Sequence, residues 1–170
     1  MTINRVTTGP LSDGEAGTVV TLKTMAREAR RAKLSPPVYT LSRELIADLP
    51  PKDWVGEVRV IYEFVRDRIR YVLDPVDVQG VQTPEITLEL RAGNCAQKVT
   101  LLGAMLLSIG HPVQFCAVRV DDSPVYTHVV ARTWIGNHWL WLETTEGPIP
   151  MGDGGPDFHR IVQPMKVVTV

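Results

Sequence analysis

The feature that most constrains this chain is a run near its middle: Gly93-Asn94-Cys95, then AQKVTLLGAMLLSI, then Gly110-His111-Pro112. Val99, Leu102, Leu106 and Ile109 recur at helical spacing, and Ala104, Met105 and Leu107 make most of the remaining circumference apolar as well. A helix that is apolar all round is stable only when other elements enclose it. Its apolar part, Val99 to Ile109, is far shorter than the ~20 residues that span a bilayer. Gly110 and Pro112 supply the stop signals. The rest of the chain must therefore wrap this helix. A length of 170 residues with 44% hydrophobic content is enough to do so in one domain.

The flanking segments supply the wrapping. Residues 1–20, with Gly9-Pro10, Gly14 and Gly17, read as a flexible arm, and residues 21–170 as a single domain. Leu22, Met25, Ala26, Ala29 and Ala32 predict a helix over 21–33, stopped by Ser35-Pro36-Pro37. A short helix follows over about 41–48. Asp53 is a candidate N-cap for a helix to about Arg70, with Trp54, Val58, Ile61, Val65 and Ile69 on one stripe. Residues 71–92 read as a long ordered loop. After the central helix the period changes to two: 113–120, 126–135 and 138–143 predict strands, and 160–170 a last strand at an edge, given Pro164. Helices first and an antiparallel sheet after is the α+β pattern.

Composition excludes several functions. Lys+Arg number 18 and Asp+Glu 19, so no strong field is available to hold a polyanion. The basic face Arg27, Arg30, Arg31 and Lys33 reads as solvated surface, so no nucleic acid is expected. Two cysteines cannot form a disulfide framework. Met1 to Thr18 lacks a basic segment followed by an apolar run, so no leader is expected and the cytoplasm is the default location. No membrane span, metal or cofactor is called for; His159 near Asp153 and Asp157 lacks ligand spacing. His111 reads as an exposed loop residue.

One constellation carries chemistry. A cysteine in the first turn of a buried helix meets free N–H groups and the positive end of the helix dipole, which favour a thiolate. Cys95 is placed as a nucleophile would be, while Cys116, in mid-strand, reads as core. If Gly136-Asn137 is a two-residue turn, Ile135 pairs with His138 and Trp134 with Trp139. His128 and Glu143 then share a sheet face as diagonal neighbours about 7–8 Å apart. A turn one residue longer would put them on opposite faces. Under this register His138 is structural. Trp134, Trp139 and Trp141 share the His128 face, where they either wall a substrate groove or cover the Cys95 helix. The Cys95 N–H is one candidate oxyanion donor. Asn94, Gln97, Gln82 and Tyr71 are unranked candidates for a second donor or a substrate contact.

The runs RAGNCAQKVTLLGAMLLSIGHPVQF and YTHVVARTWIGNHWLWLETT resemble the transglutaminase-like superfamily. Arg91, Gly93 and Cys95, then Ile109-Gly110 and Pro112, His128-Val129 and Trp139/Trp141 match its pattern in order, and the resemblance covers about residues 54–150. Two positions depart from the pattern: the usual Asp is Glu143, and the residue before the Cys is Asn94. The resemblance implies a papain-like core, with a central Cys-bearing helix packed on an antiparallel sheet that supplies the His and the acid. It also implies a thiol-dependent acyl-transfer enzyme of bacterial or phage type, hydrolysing an amide or peptide bond of a peptide or protein through a Cys95 thioester. The rival implication is a catalytically silent, virion-associated domain, docked on an assembly partner through residues 1–20.

Overall fold

The structure, a computed structural model, describes residues 7–8, 14–73, 80–120, 123–145, 147, 149–153 and 162–170. Among these the chain forms β1 (Thr7–Thr8), α1 (Gly14–Ala32), α2 (Pro36–Ile46), α3 (Trp54–Arg68) and β2 (Arg70–Tyr71). Then come β3 (Gly80–Val81), α4 (Pro84–Leu90), β4 (Ala92–Gly93), α5 (Cys95–Ser108), β5 (Val113–Arg119), β6 (His128–Ile135), β7 (His138–Leu142) and β8 (Val162–Thr169).

The apolar helix is at the centre. α5 packs against α1, α2, α3, α4 and one face of the sheet. Val99, Leu101, Leu102, Ala104, Met105 and Leu106 are all fully buried. The sheet is antiparallel in the order β7-β6-β5-β8, so the last strand is an edge strand, as Pro164 predicts. Val113, Phe115, Ala117, Ala131, Ile135 and Leu142 face the helices, whereas Cys116, Val118 and Val130 lie on the other face with Trp141 and Met165. The α+β class follows from the sequence as read.

Several boundaries differ, each for a local reason. α1 begins at Gly14, so residues 14–20 are helical rather than part of an arm, and Thr7–Thr8 pair with Gly80–Val81. The remainder of the proposed arm lies outside the described residues. Ser35-Pro36-Pro37 ends α1 and also begins α2. Proline is suited to a helix start, where its missing N–H would have no partner. The predicted loop over 71–92 contains α4, begun by Pro84 and capped by Thr83, whose Oγ1 accepts from Ile86 N at 3.5 Å. Asp53 caps α3 as predicted, accepting from Gly56 N at 3.0 Å, but Trp54 is 57% exposed and the buried stripe starts at Val58.

Gly103 shows how tightly the layers meet. A Cβ there would stand 2.6 Å from Phe115 Cζ and 3.7 Å from Ala29 Cβ. Both α1 and the sheet approach α5 across the missing side chain, and Phe115 is fully buried and has nowhere to retreat. Gly103→Ala should therefore destabilise the protein by about 1–3 kcal/mol despite alanine's better helix propensity. Chemical denaturation measures this, and Phe115→Leu in the same chain should restore part of the loss.

Candidate active site

The first turn of α5 is built by a reciprocal cap. Asn94 Oδ1 accepts from Gln97 N at 2.9 Å, and Gln97 Oε1 accepts from Asn94 N at 3.0 Å. Gly93 makes room for it, since a Cβ there would stand 2.9 Å from Gln97 Cβ and 3.2 Å from Thr87 Cγ2. β4 reaches this point beside β2 in parallel, with Tyr71 the register partner of Gly93. Cys95 is thus held at the head of α5 from both sides, and it remains partly exposed.

The hairpin supplies the other two groups. Gly136 and Asn137 both have positive φ, 58° and 66°, which a two-residue turn of this hand requires. Trp134 pairs with Trp139 and Ile135 with His138, the register the sequence predicts. His128, opening β6, and Glu143, just past β7, meet with Nε2 and Oε2 2.7 Å apart. Cys95 hydrogen-bonds the same imidazole.

Glu143 is fully buried and densely partnered. Oε1 accepts from Thr145 N and from Thr145 Oγ1, each at 2.7 Å. The Tyr62 hydroxyl, from α3, is shared between the main-chain oxygens of Glu143 at 2.6 Å and Ile149 at 2.8 Å. Burial opposes a charged His128 ring, but the hydrogen bonds and charges of Cys95 and Glu143 outweigh it and push the imidazole up to about 10. Burial pushes the Cys116 thiol up to about 12, consistent with a core residue.

The remaining predicted residues are placed as follows. Asn94 and Gln97 form the cap, and Tyr71 is half-exposed at its edge. Gln82 precedes α4, with its Nε2 buried and unpartnered among the described residues. The tryptophans do not cover the Cys95 helix. They lie on the sheet face opposite α5: Trp134 is six residues along β6 from His128, about 20 Å at ~3.3 Å per residue. There Trp134 meets Trp139 edge-on, and the Arg132 guanidinium sits 4.6 Å from the Trp139 ring and 5.3 Å from the Trp141 ring. Alternation gives the face, but the helix crosses the sheet on its other side. His111 is buried rather than exposed, with Nε2 2.8 Å from Glu57 Oε2. His159 lies outside the described residues. Among those described, no group of three or more His, Cys, Asp and Glu could hold a metal, and no helix is long and apolar enough to cross a membrane.

Sequence reasoning missed Lys98. It is 1% exposed, and its Nζ donates to Ile69 O at 2.6 Å and Arg66 O at 3.1 Å, closing the carbonyl end of α3. The available signal was a single charge in an otherwise uncharged helix. Lys98 lies at a cleft of about 440 Å³ that Arg68, Arg70, Tyr71 and Thr144 also line.

The family model of the transglutaminase-like superfamily matches residues 40–144, more than half of the chain, including all of Cys95, His128 and Glu143. The chain belongs to this superfamily. No curated protein matches it. Its fold is similar to that of a structure from Parabacteroides distasonis provisionally named a protease, with a TM-score of 0.62 and 15% identity over 88% of this chain and 29% of that one. It is also similar to one from Cytophaga hutchinsonii provisionally named a cysteine protease, with a TM-score of 0.56 and 15% identity over 97% and 59%. The chain spans less than two thirds of either neighbour's length. These likenesses support the papain-like, α+β assignment over most of the chain and stop at the fold.

The transglutaminase-like site carries a pH signature. His128 stands above its ordinary value near 6.5, so its stabilising contribution is complete below that value and is lost as pH rises towards 10. The stability margin of the wild type over His128→Gln, measured by urea unfolding, should shrink between pH 6 and 9.5, by something on the order of 2 kcal/mol. A margin that stays constant across this range would contradict the ion-paired imidazole.

Proposed function

We propose that this chain is a thiol-dependent acyl-transfer enzyme that hydrolyses an amide or peptide bond in a peptide or protein. The observation that carries the reading is one imidazole, His128, held between the partly exposed Cys95 and the buried carboxylate of Glu143. An imidazolium in that position stabilises a thiolate, and Glu143 fixes both the ring's orientation and its charge.

The Cys95 sulfur attacks the carbonyl carbon, and the oxygen takes up the negative charge. The N–H of Cys95 at the start of α5 supports an oxyanion there. With Nε2 engaged by Glu143, Nδ1 is the nitrogen left to give its proton to the departing amine. A thioester results. The imidazole, now neutral, takes a proton from water as that water attacks the thioester. Collapse releases the carboxylate and the sulfur, and the proton returns the ring to its charged state. Water is the default second nucleophile, and among the described residues none at the site selects an amine acceptor.

The rival reading, a silent assembly domain, would be favoured by a triad sealed under the tryptophans. Their place on the far side of the sheet leaves Cys95 uncovered by them, which supports the enzyme. An assembly role for residues 1–20 has no described contact behind it.

Cys95→Ala should lower amide hydrolysis at least about a thousandfold, and Glu143→Gln about ten- to a hundredfold. Unchanged hydrolysis in purified Cys95→Ala protein would sink the mechanism. Iodoacetamide near neutral pH should label Cys95 well before Cys116, read by peptide mapping. The alkaline limb of kcat/KM should have its midpoint near 10, where His128 loses its proton.

A further inference from the structure

Among the described residues, the cleft that Lys98 lines carries more positive than negative charge, and the catalytic steps do not use it. Arg66 is committed, because its Nε and Nη2 each meet a different Asp67 carboxylate oxygen at 2.7 Å and its Nη1 donates to Ile149 O. That pair cancels, and Arg68, Arg70 and Lys98 remain. α3 is capped by Ile69, whose backbone is extended and whose side chain is buried, so Arg68 and Arg70 both turn outward around one anchored residue. Among the described residues neither arginine makes an ion pair. Lys98 has two of its three N–H groups on carbonyls.

Two further observations tie this charge to a ligand. Thr144, 1% exposed and lining the same cleft, has a hydroxyl with no hydrogen-bond partner among the described residues. A buried hydroxyl left unpaired is a group awaiting a partner. Two residues of the cleft also lie near the head of α5: Lys98 is three residues after Cys95, about one helical turn, and Tyr71 stands in register with Gly93.

We infer that this cleft is an anion subsite that takes an acidic side chain of the protein substrate close to the scissile bond, with Arg68 and Arg70 at its mouth and Lys98 and Thr144 at its floor. The inference rests on the proposed acyl-transfer function for its catalytic meaning and on the cleft alone for binding. A volume of about 440 Å³ suits a side chain and its neighbours, and the chain's formal net charge of -1 does not suit a nucleic-acid backbone.

Binding can be tested apart from catalysis in the full chain carrying Cys95→Ala. Fluorescence anisotropy would compare a labelled hexapeptide containing two glutamates with its glutamine counterpart, at roughly 25 mM salt where screening is weak. The acidic peptide should bind about tenfold more tightly, and Arg68→Glu with Arg70→Glu should erase that preference. Because both arginines are exposed the fold should survive, and Arg68→Gln with Arg70→Gln gives the same reading should the reversal not fold. Equal affinity for the two peptides, a preference that survives the substitutions, or displacement by an oligonucleotide at lower concentration than by unlabelled peptide would each overturn the subsite. Hydrolysis by the wild-type chain is a separate measurement, so loss of one reading leaves the other standing.

Discussion

A helix apolar on every side cannot exist in water, and the fold of this chain is the answer to that constraint. α1 to α4 and the sheet each cover part of α5. Gly103 and Ala29 let two of those layers come close enough to exclude water. Full enclosure leaves only the ends of α5 available for chemistry. The C-terminal end is closed by Gly110 in the left-handed region and by the part-buried His111–Glu57 pair. The N-terminal end, where N–H groups lack helical partners, is where Cys95 reaches the surface. An accessible thiol at the head of the most buried helix is therefore a consequence of packing.

Burying Glu143 demands compensation, because a carboxylate removed from water is costly unless its lone pairs are met. The chain meets them from different directions: His128 on one oxygen and Thr145 on the other, while Tyr62 of α3 fixes the local main chain. β6 and the loop after β7 meet the side chain while α3 holds its main chain, which limits where His128 can stand. The extra methylene of glutamate, relative to the aspartate usual in the family pattern, is accommodated within this cage.

The elements written in local chemistry were legible in the sequence. Periodicity gave α5, Asp53 gave the start of α3, and Gly136-Asn137 fixed the hairpin register that joins His128 to Glu143. What could not be read locally depended on tertiary partners. Ser35-Pro36-Pro37 and Thr83-Pro84 look like interruptions, and only packing decides that the chain resumes a helix at once in each case. The tryptophans share a sheet face with His128 by alternation, but no pattern within the strands says on which side α5 will cross. Lys98 was not legible because its partners, the Arg66 and Ile69 carbonyls, belong to another helix.

Lys98 and His128 show how similar burial can give opposite electrostatics. Both are cationic groups largely removed from water, and both feel Glu143. His128 touches the carboxylate and the thiol directly, so hydrogen bonding and charge together exceed the cost of burial and the ring keeps its proton up to about 10. Lys98 touches only neutral carbonyls. For it burial dominates, the attraction of Glu143 and Asp67 is too distant to reverse it, and the ammonium is pushed down to about 8. Direct contact, more than proximity, thus assigns the charge of Glu143 to the imidazole. The lysine stays as a weakly held cation one turn below Cys95, with the third of its N–H groups unassigned to a carbonyl. A cation so placed has more to gain from an arriving anion than one already paired.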